Sequence, residues 1–323
     1  IRNGRQRLPD LLDGARGRAR PPRVCLNHPP ALGSPLSLHQ NAGIAMAVDE
    51  VPEPEDENLL ARAGNLEARL TTDVGEIHAA QRLRYDVFYR EMSATPTPEM
   101  AREGRDFDRY DDIVDHLVVF DRSTPGDTPR GAVVACYRLL RKAVADRHGG
   151  FYSAAEYDIG PMLAKAKPDA KYLELGRSCV AKAWRSSNQT MQFLWRGLLV
   201  YLLRNEIELM FGCASLPGTN PEALKVPLSY LYHYHLTPEE DRVRALPSVY
   251  VNMNMLPKEA INPDEGELSL PPLIKGYIRL GASIGDGAFI DHQFGTTDVF
   301  IHFPSAKLDP RYLAFFKRKL TKG

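Results

Sequence analysis

The sequence is poor in the features that would classify it quickly. Cysteine occurs four times in 323 residues, at Cys25, Cys136, Cys179 and Cys213. No pair has a CxxC spacing and no His/Cys cluster has metal-ligand spacing, so neither a structural zinc site nor a disulfide framework is expected. The thiols read as buried and reduced. His233 and His235 form an HxH pair that nothing nearby completes, and a packed aromatic helix end is the preferred reading. No apolar run approaches the ~18 residues of a membrane span; the longest, Leu198 to Leu203, stops at Arg204. Net charge is also missing, since 41 basic and 41 acidic side chains cancel, and nothing in that balance supports a nucleic-acid partner. The N-terminus lacks the apolar core of a secretory signal. These absences point to a soluble or peripheral cytoplasmic protein.

What is present is unevenly spread. Residues 1–58 are rich in Gly, Pro, Ala and Arg and end in an acidic Pro-Glu stretch, a composition that buries little apolar surface. They read as an extension and linker of no assigned function, with Met46 a plausible start. Residues 59–323 read as one folded domain. Alternation predicts a strand from Leu66, and helical spacing of Ile77, Leu83, Val87 and Phe88 predicts a helix over 74–92 capped by Asp73. Strands are expected at 116–120, 131–140, 172–180, 209–215, 288–292 and 299–303, and helices at 189–204, 222–234 and from Pro272. The Pro-rich stretch between His235 and Pro271 suggests a binding loop or lid. This order predicts a mixed α/β (α+β) domain, a central sheet flanked by helices.

Four blocks carry chemistry. Arg84 and Phe88 lie four apart on the opening helix, hence on one face. Asp106, Asp108 and Asp111 cluster before a strand, Arg138 ends a strand, and Glu174-Leu-Gly-Arg177 lies inside an apolar one. A loop cluster of acids is usually a solvated turn. Glu174 and Arg177 are different: odd spacing places them on opposite faces of a regular strand, so one points inward unless the strand is an edge or bulged. Such charges are paired or functional.

In order and internal spacing, Arg84 with Phe88, Asp108-Arg-Tyr-Asp111, Arg138-Leu139 and Glu174-Leu-Gly-Arg177 resemble the acyl-homoserine lactone synthases. The segments Glu174-Leu-Gly-Arg-Ser-Cys-Val, Pro271-Pro-Leu-Ile-Lys-Gly-Tyr and Asp291-His-Gln-Phe-Gly-Thr-Thr look like the related ornithine-lipid N-acyltransferases, a bacterial family with a GNAT-like fold. The resemblance spans about Leu66 to Phe303. It implies transfer of a (3-hydroxy)fatty acyl group from a thioester to the α-amino group of ornithine, giving a lyso-ornithine lipid. The tryptophan that lactone synthases carry after the Phe is absent here. The GNAT phosphate loop, normally Gly-rich, is represented by Arg185-Ser-Ser-Asn-Gln-Thr without a glycine. An acyl carrier protein, whose phosphopantetheine arm brings no adenosine diphosphate, is therefore the expected donor partner in place of coenzyme A.

Residue type and resemblance together suggest roles. Aminolysis of a thioester needs a neutral amine, so a base is required, and Glu174 is the expected one, beside Arg177. Arg84, Arg138 and Arg177 would fork the acceptor's carboxylate, Asp108 and Asp111 would meet its ammonium, and Phe88 would line the substrate. Ser178, Cys179 and Arg185 mark the acyl and oxyanion region. An ion-pair network bracing helix to sheet is the structural alternative for the charged residues. Two rival functions stand beside this one: a lactone synthase-like enzyme using S-adenosylmethionine, and a non-catalytic lipid-binding protein. Gly281-Ala-Ser283-Ile-Gly285 matches a nucleophile elbow, but helical residues before Ser283 exclude the strand-to-helix turn that an elbow needs. Finally, Arg311 to Lys319 reads as a short basic helix with aromatics, suited to an anionic membrane surface or to packing on the domain.

Overall fold

The computed structural model describes residues 56–186 and 189–308. The expectations for residues 1–55 and for the helix from Arg311 lie outside the described residues.

The described residues hold one mixed sheet of ten strands. From one edge, β1 (Leu59–Ala63), β2 (Leu66–Thr71), β3 (Asp115–Asp121), β4 (Ala132–Arg141) and β6 (Tyr172–Val180) pair antiparallel, each with the next. β6 then meets β7 (Leu209–Pro217) in parallel, and β10 (Thr296–Pro304) pairs with both β7 and β9 (Ser283–Asp291). The two-residue strands β8 (Arg244–Ala245) and β5 (Tyr157–Asp158) close the far edge.

The helices divide between the two faces. α1 (Val74–Tyr85) starts at Asp73, whose side chain accepts the Glu76 N–H at 2.9 Å, as a cap should. Its Ala80 and Leu83, with Val87 beyond, pack on Val118, Phe120, Cys136 and Cys179. Tyr137 and Leu139, which alternate with Cys136 and Arg138 along β4, belong instead to the core under the long helix α5 (Gln189–Arg204). Gly197 lets α5 sit close, because a Cβ there would lie 3.0 Å from Ala68 Cβ. The other helices are α2 (Pro98–Glu103), α3 (Lys142–Ala145), α4 (Gly160–Ala164), α6 (Lys225–His235), α7 (Pro263–Ser269) and α8 (Pro272–Arg279).

The stretch between α6 and α8 is not a free lid. It holds β8 and α7, and Met253, Ile261 and Leu270 are buried in the main core. Ser229 ties it down, donating to Met253 O and accepting from the N–H groups of Met255 and Leu256. His233 bonds Leu256 O, and His235 packs on the Tyr230 ring. Ser283 opens β9, with its hydroxyl beside that of Thr237. That is not a strand-to-helix elbow.

Two irregularities shape the site. After Tyr85 the opening helix widens into a π-helical turn, Asp86–Glu91, closed by Met92 N–H to Val87 O. The second is in β6. Cys179 faces Cys136 while Gly176 faces Arg138, so β6 spends one more residue than β4 there, and Arg177 sits at φ +52°. This is a β-bulge with a left-handed residue.

Candidate active site

The bulge changes which way the charges point. On a regular strand Glu174 and Arg177 would face opposite sides. Here the Tyr152 N–H donates to Glu174 Oε2 at 2.8 Å, while the Arg177 guanidinium lies 5.1 Å from the Tyr152 ring centre. Both side chains are on the face that carries Arg138.

On that face three arginines and three aspartates form one network. Arg84, 1% exposed, donates to Asp106 Oδ2 at 2.7 Å and to both Asp111 oxygens at 2.8 and 3.0 Å. Arg138 donates to Asp108 Oδ1 at 2.7 Å and Asp111 Oδ2 at 3.1 Å. Arg177 joins more loosely, 3.5 Å from Asp106 and from Asp108. Burial works to raise the Asp111 carboxyl, but Arg84 and Arg138 outweigh it and hold it at about 2. Asp108 is lowered in the same way, Arg138 overcoming burial. Arg84, Arg138, Asp108 and Asp111 are bonded to one another, the ion-pair arrangement that stands as the structural alternative to ligand binding for these residues. Arg177 is the most open of the three cations, stacked between Tyr152 and Phe294, the latter ring centre 4.6 Å away. Phe88 is half-buried, edge-on to Phe294.

Glu174 is 5% exposed, and its carboxylate accepts from Tyr152 N, Ser153 N and Ser153 Oγ at 2.8, 2.7 and 2.6 Å. Burial raises its pKa, and those donors lower it only in part. It therefore clasps the turn that follows Phe151, in addition to any proton transfer.

Beside the bulge the sheet opens. β6 and β7 pair only at Tyr172–Leu209, Leu173–Met210 and Glu174–Phe211. Beyond that point β6 stays on β4 to Val180, while β7 follows β10 to Pro217. A small cleft at the fork is lined by Leu175, Gly212, Cys213, Tyr277 and Ile301, among others. Gly212 is needed there, since a Cβ would sit 2.3 Å from Leu175 O. Gly176, Arg177 and Ser178 are the partly open residues of β6 after Tyr172, and Cys179 is buried against the Cys136 thiol at 3.6 Å. The hydroxyls of Tyr137 and Tyr277 hydrogen-bond each other, Ser178 also reaches Tyr137, and burial pushes both phenols up. Arg185 is committed elsewhere: it donates to Val180 O at 2.7 Å and to Glu91.

An L-ornithine N(alpha)-acyltransferase of Rhizobium meliloti is 48% identical over 80% of this chain and 86% of its own length. One from Brucella abortus is 46% identical, over 81% and 92%. The chain belongs to this acyltransferase family. The acetyltransferase (GNAT) domain family matches residues 83–196, which run from Leu83 at the end of α1 into α5 and include the network, the bulge and Arg185. Among solved structures, FeeM, an N-acyl amino acid synthase from uncultured soil microbes, covers 75% of this chain and 91% of its own at 10% identity, with a TM-score of 0.41. The match to the acetyltransferase family makes the fold GNAT-like, as the resemblance implied.

Several residues at the site were not legible beforehand. Tyr137 and Tyr277 meet from β4 and α8. Glu156, Asp291 and Asp298, all buried, bring carboxylate oxygens within 4.8 Å of one another from a loop, β9 and β10. No spacing in the sequence links them.

Proposed function

We propose that this chain transfers a fatty acyl group from the phosphopantetheine thioester of an acyl carrier protein to the α-amino group of ornithine, giving a lyso-ornithine lipid. The observation that carries the reading is the fork between β6 and β7, set beside a charged face in a chain of this family. The fork offers a slot for the thioester between strands, with a backbone N–H at Ser178 or Cys179 as the candidate donor to the oxyanion. The amine attacks the thioester carbon, a C–N bond forms, and the C–S bond breaks. The amine's proton goes to Glu174 through an intervening water, burial making it a stronger base than a surface carboxylate. The Tyr137–Tyr277 pair, which burial keeps protonated, would hydrogen-bond the leaving thiolate, which takes its proton from water. Arg177 is the guanidinium best placed to meet the acceptor's carboxylate. Release of the lipid product would be eased by peripheral contact with an anionic membrane; no helix among the described residues is long and apolar enough to cross one.

The direct test is thiol release from acyl-loaded carrier protein on adding ornithine, with mass analysis of the product. Ornithine-dependent release and an N-acylated product are expected. Release that requires S-adenosylmethionine instead would favour the lactone-synthase reading, and none with either acceptor would favour a lipid-binding role.

A further inference from the structure

The Arg–Asp network balances three guanidinium groups against three carboxylates. The buried trio of Glu156, Asp291 and Asp298 has no such balance: among the described residues no salt bridge reaches any of the three, and their oxygens converge within 4.8 Å. Two of them are braced. Asp291 Oδ1 accepts the N–H groups of Gln293 and Phe294 at 2.8 and 2.9 Å, and Asp298 Oδ1 accepts the Thr296 hydroxyl at 2.9 Å. Glu156 is 4% exposed and its Oε2 has no hydrogen-bonding partner among the described residues. A buried acceptor left without a donor is costly, and three converging carboxylates make it more so.

We infer that Glu156, Asp291 and Asp298 form the receptor for the acceptor's side-chain ammonium, and so select an amino acid with a cationic side chain. This rests on the reading of ornithine as acceptor. An alkyl ammonium carries three N–H donors and no acceptor, which matches three converging carboxylates, one with a free oxygen. The trio is also close to Arg177, whose charge is felt at Glu156 and Asp298, and Phe294 links the two groups: its N–H holds Asp291 and its ring lies under Arg177. An amino acid would then be read at both ends, its carboxylate by Arg177 and its distal ammonium by the trio. Burial pushes Glu156 up to about 8 and Asp298 to about 6, with partial relief from the Cys213 thiol and the Ser215 and Thr296 hydroxyls; an arriving ammonium would restore their ionised forms.

The test compares ornithine with 2-aminopentanoate, which has the same chain without the terminal amine, in wild-type, Asp298→Asn and Glu156→Gln proteins. The ratio of kcat/KM for ornithine over 2-aminopentanoate should fall about 10- to 100-fold in each variant, the range for losing a charge-assisted hydrogen bond. Equal losses with both acceptors, leaving the ratio unchanged, would overturn the inference. So would a wild-type preference that chelation abolishes and Mn²⁺ restores, which would make the trio a metal site. Calorimetric binding of ornithine separates this inference from the reading beneath it. If the wild type transfers no acyl group but binds ornithine, and Asp298→Asn does not, the trio stands and the proposed reaction falls. No binding by the wild type would overturn the trio as well. The two variants are near-isosteric, and thermal melts confirm that each is folded.

Discussion

At the scale of single residues, the site separates charges that brace from charges that are strained. Asp111 braces: with its carboxyl held at about 2, below the ordinary ~3.9 of an aspartate, it stabilises the fold above about pH 4. That contribution is lost as pH falls through 2. Asp111→Asn should therefore cost about 3–5 kcal/mol at pH 7 by leaving Arg84 and Arg138 short of a partner, and flatten the fall in stability between pH 4 and 2. Urea unfolding at several pH values checks both, and an unchanged acid limb would remove Asp111 from the brace. Glu174 holds the turn at Tyr152 and Ser153, and its amide tests the proposed proton transfer beside that. Glu174→Gln should lower kcat about 10²–10⁴-fold if it takes the amine's proton, and lower the melting temperature as well, since its amide nitrogen cannot accept the Tyr152 or Ser153 N–H. A lower melting temperature with kcat intact would leave it only the clasp on Tyr152 and Ser153.

At the scale of elements, two local departures from regular geometry make the site. The left-handed bulge at Arg177 brings Glu174 and Arg177 to one face, and the parting of β6 from β7 opens a slot next to it. Gly212 lies just past the last β6–β7 pair, where the two strands are in close approach, so Gly212→Ala is the single change aimed at the fork. Its Cβ would meet Leu175 O at 2.3 Å, a backbone clash that costs roughly 1–3 kcal/mol. A lower melting temperature together with loss of thioester turnover is expected; full retention of both would mean the fork is not the acyl slot. Regular elements were legible because period and length agreed: α5 was expected at residues 189–204 and is found there. β1 was missed, since Leu59-Leu-Ala-Arg-Ala neither alternates nor contains a β-branched residue. The π-helical turn was invisible, because Val87 and Phe88 fit an α-helical period as well as the wider one.

At the scale of the whole molecule, legibility followed sequence distance. Charges that share an element, such as Glu174 and Arg177, could be grouped from spacing, and motif order joined the four blocks. Glu156 could not be joined to Asp291 and Asp298, nor Tyr137 to Tyr277, because only the packing of the loop before β5 near β9 and β10 and the docking of α8 bring them together. The choice of acyl donor also belongs at this scale. A coenzyme A pyrophosphate wants backbone N–H groups at a Gly-rich helix start and a free cation nearby. The segment before α5 has no glycine, and Arg185, its one guanidinium, is spent on Val180 O and Glu91. The nucleotide half of coenzyme A should then contribute little: acyl-pantetheine and acyl-coenzyme A should show kcat/KM values within about threefold of each other. Acyl carrier protein should exceed both by at least about 100-fold, which corresponds to roughly 2.7 kcal/mol of recognition from the carrier's own surface. Coenzyme A outrunning pantetheine by more than about tenfold would show that its nucleotide is held after all. The donor assignment would then pass to coenzyme A, with the acceptor chemistry unaffected.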